Sequence, residues 1–276
     1  MGLIKVDREK CEKEGICVEV CPMGILSLDP DNGPGLLPGT AHFCIGCGHC
    51  VAACPHGALD NVRNPLTRQP PLEHFPVVEH KEALAFLRSR RSIRCYKEDP
   101  VPRELTLQLL QAARYAPSGH NSQGLGYIIV TGRAALDHVC KIVLDWMAEM
   151  VQTQPELAAR LHMPGIIKAH QRGSDRILRK APQVIVATAP KELKAAWITT
   201  CLALEYVELY ATSLGLGTCW AGFAQICAQQ YPALPAFLEI PEDRVITGMM
   251  MVGFPKYAYS RMPERNPLEV AWFSRE

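Results

Sequence analysis

The sequence predicts two domains, a small cysteine-rich module followed by a larger α+β domain. Three observations support this prediction. Seven of the twelve cysteines lie within residues 11–54. Four prolines fall within residues 63–80, where fixed φ angles and missing N–H donors favour an extended linker. Beyond residue 81, helical patterns outnumber strand patterns and surround a few apolar strands, which is typical of an α+β domain.

The overall composition is that of an ordinary globular protein. Of the 276 residues, 48% are hydrophobic and 21% are charged. The net charge of +1 argues against a nucleic-acid partner, which would require a strongly basic surface. The charge is uneven, however, because residues 1–62 carry a net charge of −4 and the remainder carries +5.

The cysteines indicate metal binding in a reducing compartment. The first ten residues contain no apolar signal sequence, and no run of 18 apolar residues suggests a membrane span. Disulfides would require an oxidising compartment, and nothing in the sequence directs the chain to one. We therefore expect a cytoplasmic protein with reduced thiols and no membrane partner.

One cysteine run has the spacing C-x2-C-x2-C-x3-C-P, which is typical of cubane iron–sulfur clusters. Its glycines allow a tight loop with backbone N–H groups turned toward the sulfur atoms. A structural zinc site is the alternative, although zinc sites usually use two separated cysteine pairs or mixtures of Cys and His. The run reads Cys44-Ile45-Gly46-Cys47-Gly48-His49-Cys50-Val51-Ala52-Ala53-Cys54-Pro55.

An imperfect copy of this run lies at residues 11–22. Counted back from Cys21, Cys17 and Cys11 occupy the third and first ligand positions, and Glu14 occupies the second. Each copy is flanked by short apolar segments, so each half is predicted to form strand, cluster loop, short helix and strand. The sequence therefore contains an internal repeat in which one ligand is changed.

With this repeat, residues 1–62 resemble a two-cluster bacterial ferredoxin domain. The resemblance implies that one cluster takes Cys44, Cys47, Cys50 and Cys21, and that the other takes Cys11, Cys17 and Cys54. Glu14 leaves three outcomes open at the second site, because a carboxylate is a hard ligand beside soft thiolates. These outcomes are a [4Fe–4S] cluster with Glu14 or water on one iron, a [3Fe–4S] cluster, or a loop that lets another group bind, and the alternative to all three is a degenerate, empty site.

The second domain, residues 81–276, is predicted from its apolar patterns. Helices are expected over residues 81–90, from Pro102 onward, over 136–152 and 166–180 on either side of a break at Pro164-Gly165, and over 194–214. Strands are expected over residues 127–130, 183–189 and 245–254.

A basic segment opens this domain. Arg90, Ser92 and Arg94 alternate along the chain, so an extended conformation puts all three on one side. Guanidinium groups with a hydroxyl suit a phosphate, and a solvated basic stretch is the alternative. The sequence has neither a G-x-G-x-x-G fingerprint nor a P-loop.

Four motifs in order resemble the nitroreductase family of FMN flavoproteins over residues 81–276. The resemblance implies an α+β fold with a mostly antiparallel sheet enclosed by helices, an intertwined homodimer, and FMN at the dimer interface. The motifs are Arg90-Arg91-Ser92-Ile93-Arg94, residues 116–123, residues 214–223 and Met251-Val252-Gly253-Phe254-Pro255.

The resemblance also implies roles for single residues. Arg90, Ser92 and Arg261 would hold the FMN phosphate, and Arg94 would reach the pyrimidine edge of the flavin. Asn121 would form a hydrogen bond with the flavin ring, and Ser118 and Gln123 would line the flavin pocket from the partner subunit. Ala221 and Gly222 would offer N–H groups near N5. The remaining members of the expected flavin-binding set, which belong to the same motifs, are Arg91 and Pro117.

Two further residues are catalytic candidates. His120 would donate a proton to the substrate, although a lone histidine is more often an ordinary surface or core residue. Trp220 would stack near the flavin, and core packing is the alternative.

The fusion predicts an electron path from an external donor such as a ferredoxin, through two clusters and FMN, to a small organic acceptor such as a nitro compound, quinone or enone. The alternatives are an NAD(P)H-dependent nitroreductase or quinone reductase with clusters as storage, and a non-catalytic electron-transfer or redox-sensing module.

Overall fold

The computed structural model describes residues 2–275, and its chain divides into two units. The first unit comprises residues up to Val77 together with Ser118–Gln123. The second comprises Val78–Pro117 and the residues from Gly124 onward.

The first unit is a twofold repeat of short elements around a small core. Strand β1 pairs with β4 and β2 pairs with β3, both antiparallel. Each short helix starts after a glycine with positive φ, which is 79° at Gly15 and 75° at Gly48. The predicted order of strand, loop, helix and strand is found in both halves. The elements are β1 (Ile4–Val6), α1 (Ile16–Glu19), β2 (Leu26–Asp29), β3 (Gly33–Leu36), α2 (His49–Ala52) and β4 (Leu59–Asn61).

Residues 63–77, expected to belong to a linker, group with the first unit. A short 3-10 turn, Leu66–Arg68, follows β4. The Asp60 side chain caps this turn, because it accepts a hydrogen bond of 2.8 Å from the Leu66 N–H. Gln69 then donates to the Asn64 carbonyl at 3.0 Å. The part of the expected linker nearest β4 is therefore folded, because its polar groups find partners within the unit.

The second unit has twelve elements and confirms the α+β class. Its four strands form one antiparallel sheet in the order β5-β6-β8-β7. The elements are α3 (His80–Ser89), α4 (Arg103–Ala113), β5 (Gly126–Thr131), α5 (Arg133–Thr153), α6 (Pro155–Arg160), α7 (Met163–Gln171), β6 (Gln183–Pro190), α8 (Ala196–Ser213), β7 (Gly217–Trp220), α9 (Gly222–Gln230), α10 (Ala233–Phe237) and β8 (Arg244–Gly253).

Both faces of this sheet are buried. Along β6, Val184 and Val186 pack into a core with residues of α5, α7 and α9, whereas Ile185 and Ala187 pack with residues of α4 and α8. Successive side chains on a strand point to opposite faces. A strand covered on both faces therefore reads as a continuous apolar run, which is why β6 and β8 were predictable.

The helix predicted over residues 166–180 is wrong in its second half. Helix α7 ends at Gln171, and its first turn contains the Pro164-Gly165 pair that was expected to break it. Pro is tolerated in the first turn because the N–H that it lacks would have no partner inside the helix. Beyond α7, the Asp175 carboxylate accepts hydrogen bonds from three backbone N–H groups, those of Ile177, Leu178 and Lys180.

Strand β7 was not expected. The predicted helix ends at residue 214, and the sequence predicts no strand between it and residue 245. Gly215 does end α8 with a positive φ of 69°, but Gly217 already pairs with Gly253 on β8. A four-residue strand gives too short a pattern to stand out beside a glycine-rich turn.

Among residues 2–275, no helix combines the length and the apolar character needed to cross a bilayer.

We predict that Gly217→Ala destabilises the second unit. A Cβ at this position would lie 2.8 Å from the Cβ of Ile93 and 3.0 Å from Cγ of Pro255, so the neighbouring backbone would have to move. Overpacking of this kind costs about 1–3 kcal/mol in the free energy of unfolding, which denaturant titration measures. The matched control is Gly165→Ala, since a Cβ there meets nothing within 4 Å and alanine favours the helix. Equal stability of the two variants would contradict the close packing of Ile93 on β7.

Candidate cofactor sites

Four thiols of the first unit surround one cavity. Cys21, Cys44, Cys47 and Cys50 line it with apolar side chains and Asn61. Burial raises the pKa of the Cys50 thiol, as do the neighbouring Cys47, Cys21 and Cys44, while the Asn61 side chain lowers it. Thiols that are this crowded and buried therefore stay protonated unless they bind a metal-containing group, which requires thiolates. This donor set fits an iron–sulfur cluster.

The backbone of the loop that carries Cys44 and Cys47 also suits a cluster. The Gly46 N–H points to the Cys44 sulfur at 3.5 Å, and the Asn61 amide lies 3.7 Å from the same sulfur. Gly46 and Gly48 have φ values of 64° and 75°, which L side chains rarely adopt. The carbonyls of Cys44 and Gly46 turn instead to side chains of the same unit, Arg63 and Asn64.

A second cavity is lined by Cys11, Cys17, Cys54 and Glu14 together with His56. Burial raises the pKa of the Cys17 thiol, and the nearby Cys54 and Cys11 raise it further. The Ala58 N–H points to the Cys54 sulfur at 3.3 Å. The structure thus brings Cys21 to the Cys44 run and Cys54 to the Cys11 copy, which is the crossed arrangement that the ferredoxin resemblance implies.

Glu14 faces this second cavity but already has a partner. Its Oε2 atom lies 3.4 Å from Nε2 of His56, and Glu12 lies 3.7 Å from the same nitrogen. No three His, Cys, Asp or Glu side chains in residues 2–275 converge tightly enough for a single metal ion. Glu14 thus lines the same cavity as the three thiols, with the His56 ring beside its carboxylate.

In the second unit, the basic segment after α3 runs beside β7. The Ile93 N–H donates to the Thr218 carbonyl at 2.8 Å, and the Tyr96 hydroxyl donates to the Ile93 carbonyl at 2.6 Å. Ile93 is buried, and Arg94 on the next position is exposed, with one guanidinium nitrogen 3.3 Å from the Ser92 carbonyl. The segment is extended, as the phosphate hypothesis requires.

Arg90 points to a buried carboxylate that the sequence analysis did not anticipate. Its guanidinium lies 3.7 Å from Glu208 on α8, and the Thr218 hydroxyl donates to the same carboxylate at 3.1 Å. Burial raises the pKa of Glu208, Arg90 and Thr218 lower it, and Glu205 raises it. Glu208 lies in the middle of an apolar helix, so only its burial reveals its role of holding Arg90 and Thr218 together.

A basic pocket lies next to this pair. It is lined by Arg91, Lys97 and Lys256, with Glu208 and the ring of Tyr259 on its wall. Three cations and one carboxylate leave it positively charged, so the side chains that are present fit an organic phosphate such as that of FMN. Lys97 and Lys256 carried no motif, and only the tertiary structure shows that they join Arg91.

Arg179 lies near Arg94. Burial raises the pKa of the Cys219 thiol on β7, while Arg94, Arg179 and the Ser92 hydroxyl lower it. Arg179 and Arg94 therefore both lie near Cys219. A residue more than eighty positions from Arg94 in sequence gives no local signal of this kind.

The expected amides near the flavin N5 are only partly available. The Ala221 N–H donates to the Met249 carbonyl at 2.8 Å, so it is occupied within the protein. Gly222 begins α9, where first-turn N–H groups have no partner inside the helix, and a Cβ there would meet nothing within 4 Å. Of the two N–H groups expected near the flavin, that of Ala221 is therefore already engaged.

The remaining expected residues occupy different environments. Pro117 is exposed in the second unit, whereas Ser118, Asn121 and Gln123 group with the first unit. His120, also in that loop, is exposed.

Farther along the chain, Trp220 is half-buried against the α4–α8 core, and its ring centroid lies 6.0 Å from that of Trp197. Arg261 is exposed beyond β8.

Comparisons with known families cover both units. The family described as the nitroreductase family matches residues 87–254, and the family described as a 4Fe-4S dicluster domain matches residues 9–59. The solved structure of a nitroreductase with bound FMN from Bacteroides fragilis superposes with a TM-score of 0.55 at 20% identity, covering 69% of this chain and 98% of that one. At this identity the likeness concerns the fold.

Curated relatives match the two regions separately. Nitrobenzene nitroreductase of Ectopseudomonas oleovorans is 28% identical over 64% of this chain and 87% of its own length. A protein named NADH dehydrogenase from Thermus thermophilus is 28% identical over 68% of this chain and 94% of its own. The electron transport protein HydN of Escherichia coli is 41% identical over 59 residues, which are 21% of this chain and 31% of HydN.

We predict a pH-dependent stability difference between the protein and its Glu208→Gln variant. Burial raises the pKa of Glu208 in the folded state, so its contribution to stability is present in acid and is lost as the pH rises through the raised pKa. Glutamine does not titrate, and the thermal midpoint of the natural protein should fall relative to that of the variant as the pH rises above the ordinary glutamate pKa of about 4.3. The control, Glu149→Gln on the exposed face of α5, should show no such trend. A constant difference as the pH rises above the ordinary glutamate pKa of about 4.3 would contradict the burial of a raised-pKa carboxyl.

Proposed function

We propose a function from one premise: the chain belongs to the nitroreductase family and carries a 4Fe-4S dicluster domain in its N-terminal part. It is an FMN- and iron–sulfur-dependent oxidoreductase that takes electrons from an external donor such as a ferredoxin and delivers them to a small organic acceptor. When bound, the clusters supply single electrons and FMN supplies a hydride.

One observation carries the proposal. Seven cysteines line two cavities of the first unit, four in one and three with Glu14 in the other. The second unit of the same chain has the nitroreductase fold. Two cluster sites would be redundant if the flavin were reduced directly by a nicotinamide. The donor is therefore a one-electron protein, and the two cluster sites receive its electrons.

The residues of the second unit hold FMN in this proposal. Arg91 with Lys97 and Lys256 neutralises the phosphate in the basic pocket, and Glu208 fixes Arg90 beside it. Ser92 and Arg261 add phosphate contacts and Arg94 faces the pyrimidine edge, while Gly222 offers its N–H near N5. Pro117 and Asn121 would contact the flavin, Ser118 and Gln123 would line its pocket from the partner subunit, and His120 and Trp220 remain the candidates for contact with the substrate.

The acceptor is a nitro compound, a quinone, an enone or a similar molecule. The name of the relative from Ectopseudomonas oleovorans supports a nitroaromatic compound among these. The name of the relative from Thermus thermophilus favours a second candidate function, in which NADH or NADPH reduces the flavin directly and the clusters store electrons.

Anaerobic stopped-flow reduction distinguishes the two functions. We expect reduced ferredoxin to bleach the flavin of the natural protein and to lose this ability with Cys47→Ser, because that substitution removes a cluster ligand. Cys95→Ser is the matched control, since Cys95 is exposed and lies in neither cavity. Full bleaching by NADH or NADPH in the Cys47→Ser variant, as fast as in the natural protein, would establish the second function instead.

We further propose that the protein is a homodimer. Helix α8 buries one face in the core, yet its other face is also apolar, with Trp197, Ile198, Leu202 and Tyr206 exposed. Near the C-terminus Leu268 and Trp272 are 88% and 95% exposed. A helix that is apolar on all sides, together with an apolar tail, calls for a partner surface, and a second copy of the chain supplies one.

We expect Ile198→Asp to convert the dimer into monomers, because the substitution would bury an unpaired charge in the contact. The control Lys141→Asp puts the same side chain on the exposed face of α5 and should leave the mass unchanged. Light scattering after gel filtration measures both masses. A natural protein that is monomeric at micromolar concentration would refute the homodimer.

All twelve cysteines are free thiols. This state suits cluster assembly in a reducing compartment, and we propose the cytoplasm.

A further inference from the structure

The loop Ser118–Gln123 joins α4 to β5, but by its contacts it belongs to the first unit. Three of its six residues have left-handed φ angles, 53° at His120, 53° at Asn121 and 47° at Gln123. Such angles are uncommon outside glycine and persist only where surrounding contacts fix them. The contacts that fix this loop therefore indicate what the loop does.

Hydrogen bonds within the loop orient one side-chain amide. The Gln123 N–H donates to the Ser118 hydroxyl at 3.2 Å, and Nε2 of Gln123 donates to Oδ1 of Asn121 at 3.1 Å. Because Oδ1 of Asn121 accepts this bond, its NH2 group is turned the other way. Nδ2 of Asn121 then donates to the carbonyl of Ile45 at 3.1 Å.

Ile45 lies between Cys44 and Cys47, in the loop that lines the four-thiol cavity. The carbonyl before it accepts from Arg63, and the carbonyl after it accepts from Asn64 at 3.3 Å. Both of these donors come from the segment just after β4. The middle carbonyl is satisfied by Asn121, 76 positions away in sequence. The cluster loop is thus completed by the loop that the nitroreductase resemblance assigns to the flavin.

We propose that Asn121 couples these two loops, and that the cluster held by Cys21, Cys44, Cys47 and Cys50 is the one that passes electrons to the flavin. This inference rests on the proposed function. It makes the site of Cys11, Cys17 and Cys54 the point where electrons arrive. Asn121 has two N–H donors and a second lone pair on Oδ1, so it can keep its bond to Ile45 while it contacts a flavin.

The physical reason is the path that an electron takes. Electron tunnelling weakens steeply across empty space and less steeply along bonded and hydrogen-bonded atoms. The route from the Cys44 sulfur through the Ile45 carbonyl to the Asn121 amide has one hydrogen bond and no gap. With both groups bound, each transfer would oxidise the cluster by one electron, and two transfers with two protons from solvent would reduce one flavin.

Asn121→Ala tests this coupling, with Asn64→Ala as the matched control. Each variant removes one amide that donates to the same cluster loop, and only Asn121 belongs to the flavin-site loop. Hydrogen exchange with mass spectrometry on the anaerobic holoprotein reports both loops. We expect Asn121→Ala to speed exchange in residues 44–48 and 118–123 together, roughly fivefold for one lost hydrogen bond, and Asn64→Ala to speed it in residues 44–48 alone.

The same samples are analysed for iron, sulfide and FMN, and flavin reduction by reduced ferredoxin is followed per bound flavin. We expect Asn121→Ala to keep its iron and to reduce its flavin more slowly, while Asn64→Ala stays at the natural rate. Unchanged exchange in residues 44–48 of Asn121→Ala, or a natural rate in that variant, overturns the inference. If Asn121→Ala loses its FMN, the exchange data still decide, because they need no flavin. A natural protein without clusters or FMN refutes the proposed function instead.

Discussion

The crowding of seven thiols into two small cavities is the constraint on which the first unit depends. Thiols this close and this buried have raised pKa values, as Cys50 and Cys17 show, so they resist ionisation. Binding of an iron–sulfur cluster would overcome this resistance, because thiols release their protons when they become metal ligands. The apolar core of this unit is small, and bound clusters would contribute much of its stability.

In the second unit, a single buried carboxylate has a comparable organising role. Glu208 joins Arg90 after α3 to Thr218 on β7, two residues that lie far apart in the sequence. A buried charge pair of this kind is weak support for stability, since desolvation offsets much of the attraction. The role of the pair is to position side chains: Glu208 fixes Arg90, while Arg91 lines the basic pocket.

The predictable parts of the fold were those with long or repeated patterns. The strands β6 and β8 are continuous apolar runs covered on both faces, the helices α4 and α5 have clear apolar periodicity, and α8 is a long, mostly apolar stretch. The failures were short elements or turns fixed by side-chain hydrogen bonds, which an apolar pattern does not reveal. Strand β7 has four residues, and the turn after α7 is held by Asp175, whose carboxylate looks like any other polar residue in the sequence. At the site, motifs pointed to Arg90, Arg91 and Asn121, but nothing marked Glu208, Lys97 or Asn64.

The sequence by itself determined the two families and the α+β class, because motif spacing and apolar period are local properties of a chain, and the crossed cysteine sets were what the ferredoxin resemblance implied. Only the tertiary structure decided that Ala221 uses its N–H on Met249, that Glu14 meets His56, and that Asn121 reaches the carbonyl of Ile45. Each of these is a pairing between residues far apart in sequence or a choice among several partners. Hydrogen bonds select their partners by position and angle to within a few tenths of an ångström, and that information exists only once the chain has folded.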